Sequence, residues 1–452
     1  MMPTHVNPRR KRAFPPSGLC RRIRRVTLDP RTVLAAGIAV AAIFVTACGG
    51  DGSSAQASSS KDPITVGIIA DMTGSTKTIG QQFVNGSVAA AKVFGPIDGR
   101  SVKFVSEDGG DFSASTAAAK VIQLKTQDNA TAVLGMASSE CEGAISVAGR
   151  VQIPMIGNSC SIQDVVGSNC NYWFINGAPS PAVDAKAMAI SAEKQFPGLI
   201  GEKWVVIGDD PGWSQSVAQY WDSVPGAKHA GVQIAPFGTV DWAPYIAKLK
   251  ASGARAVLVA ISWGVQYAAF LQQASAAGLF KQMQIVGPVG FPENSMVPGY
   301  GTAASNSTVQ ALLATKVLSQ YGGSWTYVDQ TPTGKRFNQT FYKSYGYPPT
   351  TQANVAMADT WMLLSAIKAV GTDPHKLMQA LTTRSFQTPY WTQPLSVQAG
   401  GRQLNVPTFA TKFEKLAQPQ YGVSYANKVL FVMPPSQVVG SASSYGCHVS
   451  GG

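Results

Sequence analysis

The sequence predicts an α/β protein of two doubly wound, Rossmann-like lobes, and three observations lead there. Short β-branched runs alternate with longer helical patterns from residue 64 onward. The alternation restarts after a turn-rich zone, NGAPSP at 176–181. The chain is 452 residues long, and even without its leader it exceeds what one ordinary core accommodates.

The leader comes first in chain order. Residues 1–31 carry nine Lys/Arg against the single acid Asp29, and the sixteen uncharged residues TVLAAGIAVAAIFVTA follow. That run is short of the roughly twenty residues that span a bilayer, so a basic start and a short apolar stretch read as a secretory signal over 1–47. Val45-Thr46-Ala47-Cys48 resembles a bacterial lipobox, in which the cysteine is acylated and becomes the new N-terminus. The polar GGDGSSAQASSSKDP follows at once, and a flexible tether is read over 48–61. An ordinary signal or a short single-span anchor, with Cys48 incidental, is the rival reading. Paired arginines leave the general secretory and twin-arginine export routes both open.

The first lobe reads in order as strand ITVGIIA, helix QQFVNGSVAAAKVF, strand SVKFVSED, helix TAAAKVIQLKTQ, strand AVLGMA, helix EGAISVAGRVQ and strand IPMIGNS. KWVVIGDD, SQSVAQYWDSV, KHAGVQIAPF, WAPYIAKLKASG, RAVLVAIS, VQYAAFLQQASAAGL and QMQIVGP repeat the alternation in the second. No residue-level repeat links the two halves. Beyond residue 300 come the helices FNQTFYKSYG and ANVAMADTWMLLSAIKAV, then a β-like NKVLFVMP.

Composition excludes several function classes. The chain has 36 basic and 24 acidic residues, net +12, but most of that excess leaves with the leader. No later basic cluster interleaves with aromatics, so no nucleic-acid partner is expected. Cys141, Cys160, Cys170 and Cys447 are an even number outside the cytosol and predict two disulfides, with three possible connectivities. With no C-x-x-C pair and with His229, His375 and His448 scattered, no metal is expected. No cofactor is expected either. G-x-S-x-G, H-E-x-x-H and G-x-x-x-x-G-K-[ST] are all missing, and TGKR at 333–336 reads as a plain turn.

In open α/β sheets ligands sit beyond the carboxyl ends of the strands. The loops there are DMTGSTKTIG, GMASSE, GNSCS, GDDPGWS, AISWG and VGPVGF, polar and aromatic, with no nucleophile–base or paired-acid arrangement. An extracellular hydrolase is therefore not expected.

From Ile64 to Val432 the chain resembles the solute-binding proteins of ABC importers with the type I periplasmic fold, in their branched-chain amino acid and amide (leucine-binding-like) branch. Matched segments occur in order: ITVGIIADMTGSTKTIGQQFVNG, KFVSEDGGDFSASTAAAKVIQL, FGTVDWAPYIAKLKASGARAVLV and YKSYGYPPTTQANVAMADTWMLLSAIKAV. The resemblance implies lobe 1 over 62–178 and about 312–415, and lobe 2 over 179–311 and about 416–452. A three-segment hinge would then lie near 176–181, 305–318 and 405–425.

It also implies a ligand set. Ser138 and Ser139 match the family's carboxylate-binding serine at a helix N-terminus, where hydroxyls and the helix dipole suit an anion; helix capping is the bland alternative. Ser159, Cys160 and Ser161 match the loop completing that cradle. Trp213 and Trp263 fall where the family carries tyrosines closing from the second lobe, although an aromatic after a buried strand is otherwise usually core. Where amino-acid binders carry a glutamate for the ligand's ammonium, in Gly-Pro-Glu-Gly, this chain reads Gly287-Pro288-Val289-Gly290. An unpaired buried cation costs roughly 3–5 kcal/mol, or two to three and a half decades of affinity. A carboxylate without an amine, or a neutral amide, is thus the better guest, and the tryptophans favour a larger or aromatic one. Glu140 and Glu142 stand next to the serines and either replace that glutamate or are solvated first-turn acids, the reading preferred here.

Cys141 begins a helix after one strand and Cys160 ends the next, so the loop positions favour Cys141–Cys160 and leave Cys170–Cys447 to pin the C-terminal tail. Cys160–Cys170 is the competitor. The family implies a monomeric receptor on the outer face of the cell membrane, held by lipid at Cys48. It would capture a small solute and deliver it to a permease and ATPase complex. A sensing lipoprotein of the same fold, signalling to a membrane partner, is the alternative.

Overall fold

The computed structural model describes residues 62–209, 211–262, 265–287, 317–320 and 324–449. The leader, Cys48, the tether, Trp263 and Val289 lie outside the described residues.

Lobe 1 is built on β1 (Ile64–Ala70), β2 (Val102–Asp108), β3 (Ala132–Ala137), β4 (Met155–Ser159) and β5 (Phe174–Asn176). These strands are parallel in the order β2-β1-β3-β4-β5. The central strand β3 is buried at all six positions, as expected of an uninterrupted apolar run covered on both faces, whereas β2 at the edge is only partly covered. The helices α1 (Lys77–Phe94), α2 (Ala114–Thr126) and α3 (Ser139–Val151) connect them.

Lobe 2 repeats the plan. After α4 (Pro181–Gln195) come β6 (Lys203–Gly208), α5 (Pro211–Asp222), β7 (Lys228–Ile234), α6 (Ala243–Ala251) and β8 (Ala256–Ala260). Then follow α7 (Val265–Ala276), α8 (Leu279–Gln282), β9 (Gln284–Gly287) and β10 (Val317–Gln320). The strands β7-β6-β8-β9-β10 stand in the same relative order as lobe 1, all parallel. An antiparallel hairpin, β13 (Thr408–Gln420) and β14 (Val423–Met433), extends this sheet beyond β10.

Between β10 and β13, the short α9 (Trp325–Val328) packs on the hairpin, its Thr326 hydroxyl donating to Asn427 O of β14. Helices α10 (Pro332–Tyr345), α11 (Thr351–Val370) and α12 (Pro374–Thr383) then return the chain to lobe 1. The small ribbon of β11 (Ser385–Phe386) and β12 (Leu395–Ser396) completes this stretch. Local chemistry sets the ends of α10: the Thr331 hydroxyl accepts from Gly334 N–H at 2.9 Å, Pro332 opens the first turn, and Gly346 stops the helix at φ 81°. Helix α11 lies on α1 at close range because position 86 is glycine; a β-carbon there would fall 2.4 Å from the Ala353 carbonyl oxygen.

Sheet membership moves the lobe boundaries that the sequence suggests. Both β10 and β13 belong to the lobe 2 sheet, so the return to lobe 1 falls after Gln320 instead of at 305–318, and the last crossing precedes Thr408 instead of extending to 425. Sheet membership depends on long-range pairing, which periodicity does not encode. The first and last crossings run side by side: Asn176 N–H donates to Arg402 O and Leu404 N–H to Asn176 O, at 2.8 and 2.9 Å. Beneath them lies Asp359 of α11, fully buried, which accepts from the Asn158 amide.

Cys141 is bonded to Cys160 and Cys170 to Cys447, with Cα separations of 5.7 and 5.6 Å. The second bridge fastens the tail that follows α13 (Pro435–Val438) to the loop before β5.

Candidate functional site

A doubly wound sheet opens a crevice where its strand order reverses, at the carboxyl ends of the two strands flanking that point. In lobe 1 those strands are β1 and β3, followed by Asp71 and Ser138; in lobe 2 they are β6 and β8, followed by Asp209 and, two residues on, Ser262. Residues of both switch points line one narrow cavity of about 30 Å³. Lobe 1 contributes Ser138, Ser159 and Ser161 with Ile79, Phe112 and Ala137, and lobe 2 contributes Trp213 and Ser262. A roomier groove of about 780 Å³ runs along α4, the turn before β6 and the end of α5. No strand carboxyl end opens into it, so the smaller cavity is the candidate site.

Lobe 1 presents its serines through an unusual backbone. Gly135, Met136 and Ser138 have φ of 95°, 66° and 47°, so two non-glycine residues occupy sparsely populated conformations where β3 turns into α3. Glycine is required at 135, since a β-carbon would lie 2.0 Å from the Ile69 carbonyl oxygen. Ser138 N–H donates to Ser159 O at 3.0 Å and Ser161 N–H to the same oxygen at 2.9 Å, which joins the ends of β3 and β4. The Cys141–Cys160 bridge staples the same two loops covalently.

Ser138, Ser159, Ser161 and Trp213, singled out in the sequence, therefore meet at one cavity. Ser139 points elsewhere: its hydroxyl donates to the Phe112 carbonyl. Cys160 is fully buried with its sulfur held by Cys141. Four cavity residues were not anticipated, Ile79, Phe112, Ala137 and Ser262. All four sit inside quoted segments, beside more conspicuous polar or aromatic residues.

Trp213 is buried, and its indole N–H is directed at the Asp184 carboxyl on α4. Burial holds Asp184 well above the usual carboxylate range, against the pull of that indole. In lobe 2 the Ser262 N–H donates to Asp209 at 2.6 Å.

Glu140 differs most from expectation. It is 1% exposed, not solvated, and turns into lobe 1 instead of the cavity. Its Oε2 accepts from Ala137 N–H at 2.7 Å, and its other oxygen faces Asp71 beside Gly109. Burial first, then the Asp71 charge, hold Glu140 well above the usual range. Burial likewise raises Asp71, against hydrogen bonds from Thr76 and from Phe112 N–H. Asp108 behaves oppositely: desolvation pushes it up, but donors from Thr73, Met72 and Gly110 outweigh that and lower it. Among the described residues no group of three or more His, Cys, Asp or Glu is arranged to hold a metal ion.

No curated protein matches the chain. Several solved structures share its fold. The amino acid ABC transporter substrate-binding protein from Pseudomonas fluorescens Pf-5 superposes with a TM-score of 0.72 at 18% identity, covering 86% of this chain and 100% of that one. A solute-binding protein of an ABC transporter from Rhodopseudomonas palustris BisB5, in complex with 3,4-dihydroxybenzoic acid, gives 0.69 at 19%, covering 83% and 98%. An R. palustris solute-binding protein in complex with benzoate gives 0.67 at 16%, covering 85% and 99%. The family model described as periplasmic binding protein matches residues 63–415. With that match over most of its length, and with two doubly wound lobes facing each other across a serine-lined cavity, the chain belongs to the periplasmic binding protein family.

Proposed function

We propose that this protein captures a small organic carboxylate, with an aromatic or bulky apolar body, between its two lobes and delivers it to an ABC importer. One observation carries the reading: the described walls of the cavity hold four serines, a tryptophan, a phenylalanine and aliphatic surface, and no ionisable side chain. Hydroxyls at the start of α3 suit an anion. The aromatic walls suit a flat apolar body. A free ammonium finds no acidic partner among the described lining residues, Glu140 faces inward, and position 289 is valine in the sequence. Relatives of the same fold that hold benzoate and 3,4-dihydroxybenzoic acid support this choice. Closure follows from differential contact, since only the closed arrangement lets both lobes touch one solute. Two disulfides fit an oxidising extracytoplasmic setting, and acylation at Cys48 would hold the receptor at the membrane. The test is thermal unfolding of the purified protein against benzoate, 4-hydroxybenzoate, benzamide, leucine and phenylalanine. A ligand at about a hundred times its Kd stabilises by roughly 2.7 kcal/mol. Shifts with the acids support the proposal. Shifts with the free amino acids alone refute it.

A further inference from the structure

We infer that Asp71 and Glu140 hold one proton between them behind the serine cradle, and that this proton lets the cradle accept a carboxylate. Both are positioning residues, and the inference rests on the carboxylate reading above.

Hydrogen counting within the cluster carries the argument. Glu140 Oε1 is buried and has no hydrogen-bond donor. Its neighbour is the Asp71 carboxyl, and the two crowd a single glycine: a β-carbon at Gly109 would fall 1.5 Å from Glu140 Oε1 and 3.2 Å from Asp71 Oδ1. Two carboxyl oxygens bond only if one of them carries hydrogen. On the far side, the Thr76 hydroxyl lies 2.5 Å from Asp71 Oδ2 and 2.9 Å from Asp111 Oδ1, one hydrogen between two carboxyls. Asp111 Oδ1 is otherwise supplied, by the N–H groups of Ser75 and Thr76, so the shortage of hydrogen falls on the Asp71–Glu140 pair, and one added proton there relieves it.

The groups facing the pair are Asp108 at the end of β2 and Asp111 in the β2–α2 loop, both acidic. No described lysine, arginine or histidine approaches either carboxyl. The backbone donors are Ala137 N–H to Glu140 and Phe112 N–H to Asp71. Both amides belong to cavity residues, so the pair braces the cavity wall and sets its charge. Fully ionised, it places two negative charges behind the start of α3 and repels a bound carboxylate. With the proton in place one of those charges is removed, and binding an anion draws the proton in more firmly.

The probe is benzoate, titrated calorimetrically into the full protein from pH 5 to pH 9 in buffers of different ionisation enthalpy. The wild type is expected to take up a proton on binding, and to lose up to about tenfold in affinity per pH unit above the pair's titration. Glu140→Gln mimics the protonated carboxyl: its carbonyl accepts from Ala137 and its amide donates to Asp71. That variant is expected to bind without proton uptake and with a flat pH profile; Asp71→Asn serves if it does not fold. Equal proton uptake and equal slopes in wild type and variant overturn the inference. If benzoate and 4-hydroxybenzoate bind at no pH, the carboxylate reading fails by itself. The unliganded thermal midpoint from pH 5 to pH 9 then decides: a flatter profile in Glu140→Gln keeps the shared proton, and parallel profiles remove it.

Discussion

Replacing Gly109 with alanine tests the crowding behind the cradle. Gly109 lies outside the left-handed region, so alanine imposes no backbone penalty there. The added methyl would instead fall 1.5 Å from a carboxyl oxygen of Glu140, so this buried side chain has to shift. Overpacking of this kind costs about 1–3 kcal/mol. Glu140→Ala alone removes the acceptor of Ala137 N–H, also worth about 1–3 kcal/mol. The double variant loses the clash together with the side chain that causes it, so it should be about as stable as Glu140→Ala. Urea unfolding of the four proteins should therefore give a coupling energy above about 1 kcal/mol. Losses that add to within about 0.5 kcal/mol would mean that the two residues do not touch, and the packing argument would fail.

Three further outcomes are expected. Burial pushes Asp359 from 3.8 up to about 8, so the native state binds the extra proton between those values; stability is greatest in acid and is lost as pH rises towards 8, by at most roughly 5–6 kcal/mol. Thermal midpoints at pH 5 and pH 8 should accordingly differ less in Asp359→Asn than in wild type. Removing the 19-residue bridge with Cys141→Ala/Cys160→Ala should cost about 3 kcal/mol in urea unfolding and weaken benzoate binding, because the bridge joins the loops bearing Ser138 and Ser159. Trp213→Phe keeps a ring at the cavity but takes the indole donor from Asp184; it should destabilise by about 1–3 kcal/mol, more at pH 8 than at pH 5, as read by the same midpoints.

Much of the fold was legible in the alternation of strands and helices, because a doubly wound sheet writes its order into local periodicity. The strand β3, AVLGMA, is a clear instance, with every residue buried. The hairpin β13–β14 was only half visible: NKVLFVMP reads as β, but TFATKFEKLAQPQ mixes charge with apolar residues because much of that strand is exposed. The short strand β10 leaves no local sign that it completes the lobe 2 sheet. Within the site, Ser138, Ser159, Ser161 and Trp213 were identifiable because they match the family's ligand positions at or just beyond strand carboxyl ends. Glu140 was not, because nothing in a helix's first turn reveals that its carboxyl folds back into the lobe. Only the arrangement of β1, β2 and α3 in space brings Asp71, Gly109 and Glu140 together.

The central claim is that the cavity takes a carboxylate and that its described residues offer no partner to an ammonium. The most direct measurement is a calorimetric comparison of 3-phenylpropanoate with phenylalanine, which differ only in the amine. The account predicts that the deaminated acid binds at least about 100-fold more tightly, as an unpaired buried ammonium costs roughly 3–5 kcal/mol. Phenylalanine binding as tightly or more tightly would contradict it, and would require an acidic partner for the ammonium at the closed cavity.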